Sequence, residues 1–315
     1  MKKLIKYITS FIKDDFHPIV YGIAFIILIA AISFNYTISF EKKVLDHYYH
    51  KPPLGMIYYF LFYATAYYFI AIPKLLIQHS KNILSDKRFW LKSILFLSML
   101  GVMGGFCFID DWAKQFKGFE YFYIAKLGAN LRFLIVFVLP LFVLWKFVDK
   151  SMHNMYGFTF KNFDLRPYVI MLLIMLPVVI AASTQPAFLA TYPKFKPWIV
   201  QGDVFGLSRL QMTAIYEFTY GLNFISLELF FRGAMVIGMV AIMGRHAVLP
   251  MAVTYCFLHF GKPMAECISS FFGGYLLGVI AMYTRSIFGG CIVHLGIAWL
   301  MEIAAMAQHY LFYKS

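Results

Sequence analysis

Apolar runs long enough to cross a bilayer recur from Ile19 to Ala307, and this repetition constrains the fold more than any other feature of the chain. A hydrocarbon core about 30 Å thick takes roughly 20 residues of helix. By that measure spans are expected at residues 19–40, 56–78, 91–109, 133–147, 168–189, 247–260, 265–283 and 287–307. A further apolar stretch, 211–244, is too long for one perpendicular crossing and is expected either to tilt and protrude or to break near Gly221 and Asn223. The reading is an all-α, polytopic transmembrane helix bundle of about eight or nine spans.

Composition agrees. The 315 residues are 61% hydrophobic and 14% charged, with mean hydropathy +0.71, which leaves no stretch for a soluble domain of any size. The net charge of +13 comes from Lys and Arg placed in ones and twos at the ends of apolar runs, where they face anionic headgroups. Membrane lipids are therefore the expected partner, and nucleic acid is not, since no face of clustered base-reading residues exists. Counting Lys and Arg on alternate sides favours a cytoplasmic N-terminus by a narrow margin. Residues 1–18 are expected to form an interfacial amphipathic lead-in, and 116–126 an interfacial aromatic connector. Cys107, Cys256, Cys267 and Cys291 all fall in apolar runs without C-x-x-C spacing and read as buried small hydrophobes.

Against this background Glu228, Arg232, His259, His294 and Glu302 stand out, because an unpaired polar group in hydrocarbon costs several kcal/mol. Glu228 and Arg232 are four apart and share one helix face, either as part of a site or as a self-neutralising pair. His259 is followed by Gly261, Lys262 and Pro263, which stop a helix. His294 lies well inside the last span and needs a partner. Two deep histidines and a glutamate make a water-activating or metal-binding trio. Glu302, eight residues and roughly 12 Å along the axis from His294, is expected in a supporting role, as is Glu266 beyond the helix stop. H-E-x-x-H is absent.

The ordered stretches L-E-L-F-F-R (Leu227 to Arg232), Y-C-F-L-H (Tyr255 to His259) and H-L-G-I-A (His294 to Ala298) resemble the motifs of the CPBP family, the CAAX proteases and bacteriocin-processing enzymes. The likeness covers roughly residues 218–307, which divides the chain into a transmembrane region without an assignable motif (1–205) and a CPBP-like catalytic core (206–315). The resemblance implies an intramembrane endopeptidase that hydrolyses a membrane-associated polypeptide, in a bacterial inner (cytoplasmic) membrane. Glu228 would serve as general base or ligand, His259 would position water, and His294 would stabilise the oxyanion or bind metal. Arg232 would hold Glu228, with Tyr255 and Glu302 in support. A divalent metal such as zinc at Glu228, His259 and His294, or a metal-free activated water, are both open at this point. In the family pattern a glutamate stands where this chain has Leu227, an asparagine where it has Ala298, and a phenylalanine where it has Tyr255. Glu228 points about 100° away from position 227, so it replaces the missing carboxylate only if the helix rotates locally. The alternative is a catalytically inactive relative that binds a peptide or confers immunity.

Overall fold

The computed structural model describes residues 1–161, 163–201 and 204–312, and among them all regular structure is helical. In chain order the helices are α1 (Lys2–Asp15), α2 (Pro18–Ile38), α3 (Leu54–Ile77), α4 (Lys87–Gly104), α5 (Phe108–Ala113), α6 (Gly118–Phe133) and α7 (Leu139–Phe147). They are followed by α8 (Arg166–Ala182), α9 (Pro186–Thr191), α10 (Arg209–Glu228), α11 (Val240–Met243), α12 (Val248–Phe257), α13 (Met264–Thr284) and α14 (Phe288–Phe312). Seven helical stretches of the described residues are long and apolar enough to cross a membrane, and α8 is a shorter apolar helix of 17 residues. The chain is an integral membrane protein built as a helical bundle.

Two expectations change. The stretch 116–126 is no connector: α6 begins at Gly118 and continues through a π-helical turn, Leu134–Val138, into α7. Its close packing on α5 depends on Gly128, where a Cβ would lie 2.3 Å from Ile109. The long stretch beginning at α10 does not break at Gly221 or Asn223. Gly221 instead faces Trp299 and Leu295 of α14, and Asn223 reaches Asn130 of α6. The regular helix gives way later, to a π-helical segment Leu229–Ile237, and the chain reverses at Gly244, whose φ of +55° suits glycine.

The amphipathic lead-in is α1, and it is tied into the bundle. Tyr7 stacks on Tyr283 of α13 at 4.8 Å, and the buried Asp15 carboxylate accepts from Lys74 Nζ and Tyr21 Oη, each at 2.7 Å. One apolar core runs through both halves of the chain. Phe62 of α3 meets Phe257 of α12 with ring centroids 5.0 Å apart, and Phe137 stacks on Phe230 at 4.2 Å. All ten residues of α12 are buried, so this helix is the centre around which the site is arranged.

Candidate active site

A capping box starts α10: the Ser208 hydroxyl accepts from the Gln211 amide, and the Gln211 side chain accepts from the Ser208 amide. The helix then carries Glu228 to its last turn, where the π-helical segment takes over and places Arg232. Wide turns of this kind recur at functional positions. Here the segment is seated on Tyr156. A Cβ at Gly233 would meet the Tyr156 carbonyl oxygen at 2.7 Å, and one at Gly238 would meet the Tyr156 ring at 2.9 Å.

Glu228 is fully buried. Its Oε1 lies 3.0 Å from Arg232 Nη1 and 2.9 Å from His294 Nδ1. The Arg232 contact is an ion pair rather than an aligned hydrogen bond, since Nη1 does not aim its N–H at the carboxylate. The guanidinium also stacks over the Tyr255 ring at 4.4 Å. Glu228 Oε2 has no hydrogen-bond partner and points at Gly290 of α14, where a Cβ would stand 2.0 Å from it. Only glycine fits at that position. Gly290 and His294 are one turn apart, so a single face of α14 both admits the carboxylate and presents the imidazole.

Both nitrogens of His294 are engaged. Nδ1 faces the Glu228 carboxylate, and Nε2 lies 3.2 Å from the Tyr255 hydroxyl. An ionised carboxylate only accepts, so in the neutral imidazole Nδ1 carries the proton and Nε2 accepts from Tyr255. Phe224 packs edge-on against the imidazole at 4.6 Å and fixes its plane. Tyr255 is held in turn by Phe231, and by Gly274, where a Cβ would lie 2.8 Å from its ring.

His259 stands on the other side of Tyr255, with ring centroids 4.6 Å apart, and its Nδ1 lies 2.9 Å from the Tyr255 carbonyl oxygen. The carbonyl accepts, so Nδ1 is protonated and Nε2 is a bare acceptor. The turn that carries His259 is clamped from the first span. Asn35 Nδ2 donates to the Phe260 carbonyl at 3.0 Å, and the Tyr36 hydroxyl donates to the Lys262 carbonyl at 2.6 Å. Glu41 fills the space beside Gly261, where a Cβ would lie 2.9 Å from its Oε2. Burial, reinforced by Asp46, pushes the Glu41 carboxyl up to about 8.

The expected residues therefore separate into two groups. Glu228, Arg232, Tyr255 and His294 are in mutual contact, with His259 against the far face of Tyr255. Glu302 is elsewhere: both its carboxylate oxygens accept from the Lys194 amide, at 3.0 and 2.9 Å, and so anchor the segment after α9. Glu266 accepts from Tyr192 at 3.2 Å and faces Lys262 at 3.7 Å. Leu227 and Ala298 both lie in apolar clusters. Phe224, Gly290 and the clamp of Asn35, Tyr36 and Glu41 are participants that motif spacing did not single out.

A metal does not fit the trio as arranged. Among the described residues the donor atoms of Glu228, His259 and His294 do not gather within 4.8 Å of one another. Tyr255 stands between the two imidazoles, and Arg232 already holds a positive charge against the carboxylate. What the arrangement can do is hold a half-buried imidazole in one tautomer, with its basic nitrogen directed at a hydroxyl.

A polytopic helical bundle with a buried Glu–Arg pair and an imidazole beside it belongs to the class of membrane proteins that hold ionisable groups in their interior, where such groups mark a functional site. Residues 209–300, under a third of the chain, match the family model for the Rce1-like type II CAAX prenyl endopeptidases, so this segment is similar to that family. No curated protein and no solved structure matches the chain.

Proposed function

We propose that the chain is an intramembrane endopeptidase that hydrolyses a membrane-associated polypeptide, with Glu228 and His294 acting as one proton-accepting unit. The observation that carries this reading is the Glu228–His294–Tyr255 line, in which the carboxylate holds Nδ1–H and leaves Nε2 as the base. Water replaces the Tyr255 hydroxyl at Nε2 and attacks the scissile carbonyl carbon. Its proton passes to Nε2, and the imidazolium is stabilised by Glu228. The released Tyr255 hydroxyl donates to the oxyanion, a part that Ala298 cannot play. Collapse breaks the C–N bond as the proton on Nε2 moves to the leaving amine. Arg232 pairs with Glu228 and holds it in place, and the bare Nε2 of His259 accepts a hydrogen bond from the water.

In this reading residues 206–315 form the catalytic core. Residues 1–205 include the clamp on the His259 turn, and the chain resides in a bacterial cytoplasmic membrane. Purified full-length Glu228→Gln and His294→Ala proteins, matched in abundance, should fail to cleave membrane peptides that the wild type cleaves. Wild-type rates in both would end the proposal. A second reading is an inactive family member that binds a peptide, and it is favoured by the apolar surroundings of Leu227 and Ala298.

A further inference from the structure

We propose a second, independent site: a zinc-class divalent cation bound by His50, Cys107 and Asp111 where the connections α2–α3 and α4–α6 meet. The two connections lie at the same end of the bundle, because α2, α3 and α4 run alternately up and down. One donor atom from each of the three residues lies within 4.8 Å of the other two, and among the described residues this is the group of histidine, cysteine and carboxylate donors that gathers so closely. His50 Nδ1 is 3.5 Å from Asp111 Oδ1. Zinc bonds of about 2.0–2.3 Å set tetrahedral edges of roughly 3.3–3.7 Å, so this pair already has the separation that a shared ion requires.

Cys107 forms the floor of the site and is fully buried, while His50 and Asp111 open to the surface. One thiolate, one imidazole and one carboxylate make a borderline-soft donor set that suits zinc better than magnesium or calcium, and three protein ligands leave a fourth position for water. The carboxylate already attracts a cation: Lys114 Nζ lies 2.6 Å from Asp111 Oδ1, on an exposed stem that an arriving ion can displace.

A second observation argues for a built site. Tyr49, the neighbour of His50, spans the two connections. Its hydroxyl binds the Phe106 carbonyl, next to Cys107, at 2.9 Å, and it also binds Asp110, next to Asp111. Arg132 of α6 donates to the same hydroxyl at 2.8 Å. Close approach at Gly105, where a Cβ would lie 2.6 Å from the Met56 amide, seats the second connection on the first turn of α3, just after the first connection ends. The register of His50 against Cys107 and Asp111 is thus set by contacts that do not use the ligands themselves, as metal sites with supporting partners require.

The test uses the full-length protein in detergent, stripped of metal and titrated with cobalt(II). One equivalent should produce a thiolate-to-cobalt charge-transfer band in the near ultraviolet, and zinc should abolish it. Cys107→Ser should remove the band. His50→Ala and Asp111→Asn, at exposed positions that leave the fold intact, should each weaken cobalt binding by about tenfold or more. Absence of the band in the wild type overturns the proposal. So does a band that persists in Cys107→Ser, or unchanged cobalt affinity in both exposed variants.

Discussion

Gly290→Ala isolates the packing of the buried carboxylate from its chemistry. The new methyl would stand 2.0 Å from Glu228 Oε2 and 2.9 Å from its carboxyl carbon, so the carboxylate must retreat by about 1 Å to reach any tolerable contact. Its other oxygen is held at 2.9 Å by His294 and 3.0 Å by Arg232, and a retreat of that size breaks at least one of the two. Overpacking of this kind costs about 1–3 kcal/mol, and a misplacement near 1 Å costs about 10²-fold in rate. Gly273→Ala is the control: it sits in α13 with open space around its Cβ, and a helical alanine there should stabilise by about 0.5–1 kcal/mol. Thermal unfolding in detergent needs no substrate. It should place Gly290→Ala several degrees below wild type and Gly273→Ala at or above it, with cleavage reduced only in the former. If Gly290→Ala melts and cleaves like the wild type, Glu228 does not lie against α14 as described.

Three further outcomes follow from the same geometry. Tyr255→Phe restores the residue usual in the family but removes the only oxyanion donor assigned in this chain, so kcat should fall by about 10²–10³ with little change in melting temperature. Glu41→Gln should flatten the pH dependence of stability. The folded chain holds that proton more tightly than the unfolded one, so the stabilisation is complete below about 4.5 and is lost as pH rises through about 8. Allowing for partial solvent access, the effect is on the order of 2–4 kcal/mol, measurable as unfolding at pH 5 against pH 9. Leu227→Glu with Ala298→Asn separates an active enzyme from an inactive relative: a gain of cleavage from zero supports the binding protein, and unchanged or lost cleavage supports the Glu228–His294 unit.

The bundle was legible because the bilayer sets a length that any spanning helix must meet, and runs such as 19–40 and 265–283 meet it without ambiguity. The stretch 116–126 misled because lysines and aromatics suit both an interface and a helix end, and only the contact of Gly128 with Ile109 decides between them. Residue identities in the site were legible for a different reason, since charge in hydrocarbon demands an explanation. Their pairing was not, because Glu228 and His294 are 66 positions apart and helical phase cannot be carried across three turns of chain. Glu302 shows what phase can do: its separation from His294 along one helix placed it outside the site, and it binds the Lys194 amide. Gly290, four residues before His294, carried a usable signal in its spacing, but nothing in its identity says which carboxylate it receives.

The most direct measurement of the central claim compares cleavage by Glu228→Gln, His294→Ala and the double variant, in proteoliposomes with matched protein and a peptide that the wild type cleaves. If carboxylate and imidazole act as one unit, each single change removes nearly all activity, and the double variant is no worse than either. Losses that multiply, or a single variant that retains wild-type cleavage, would contradict the account.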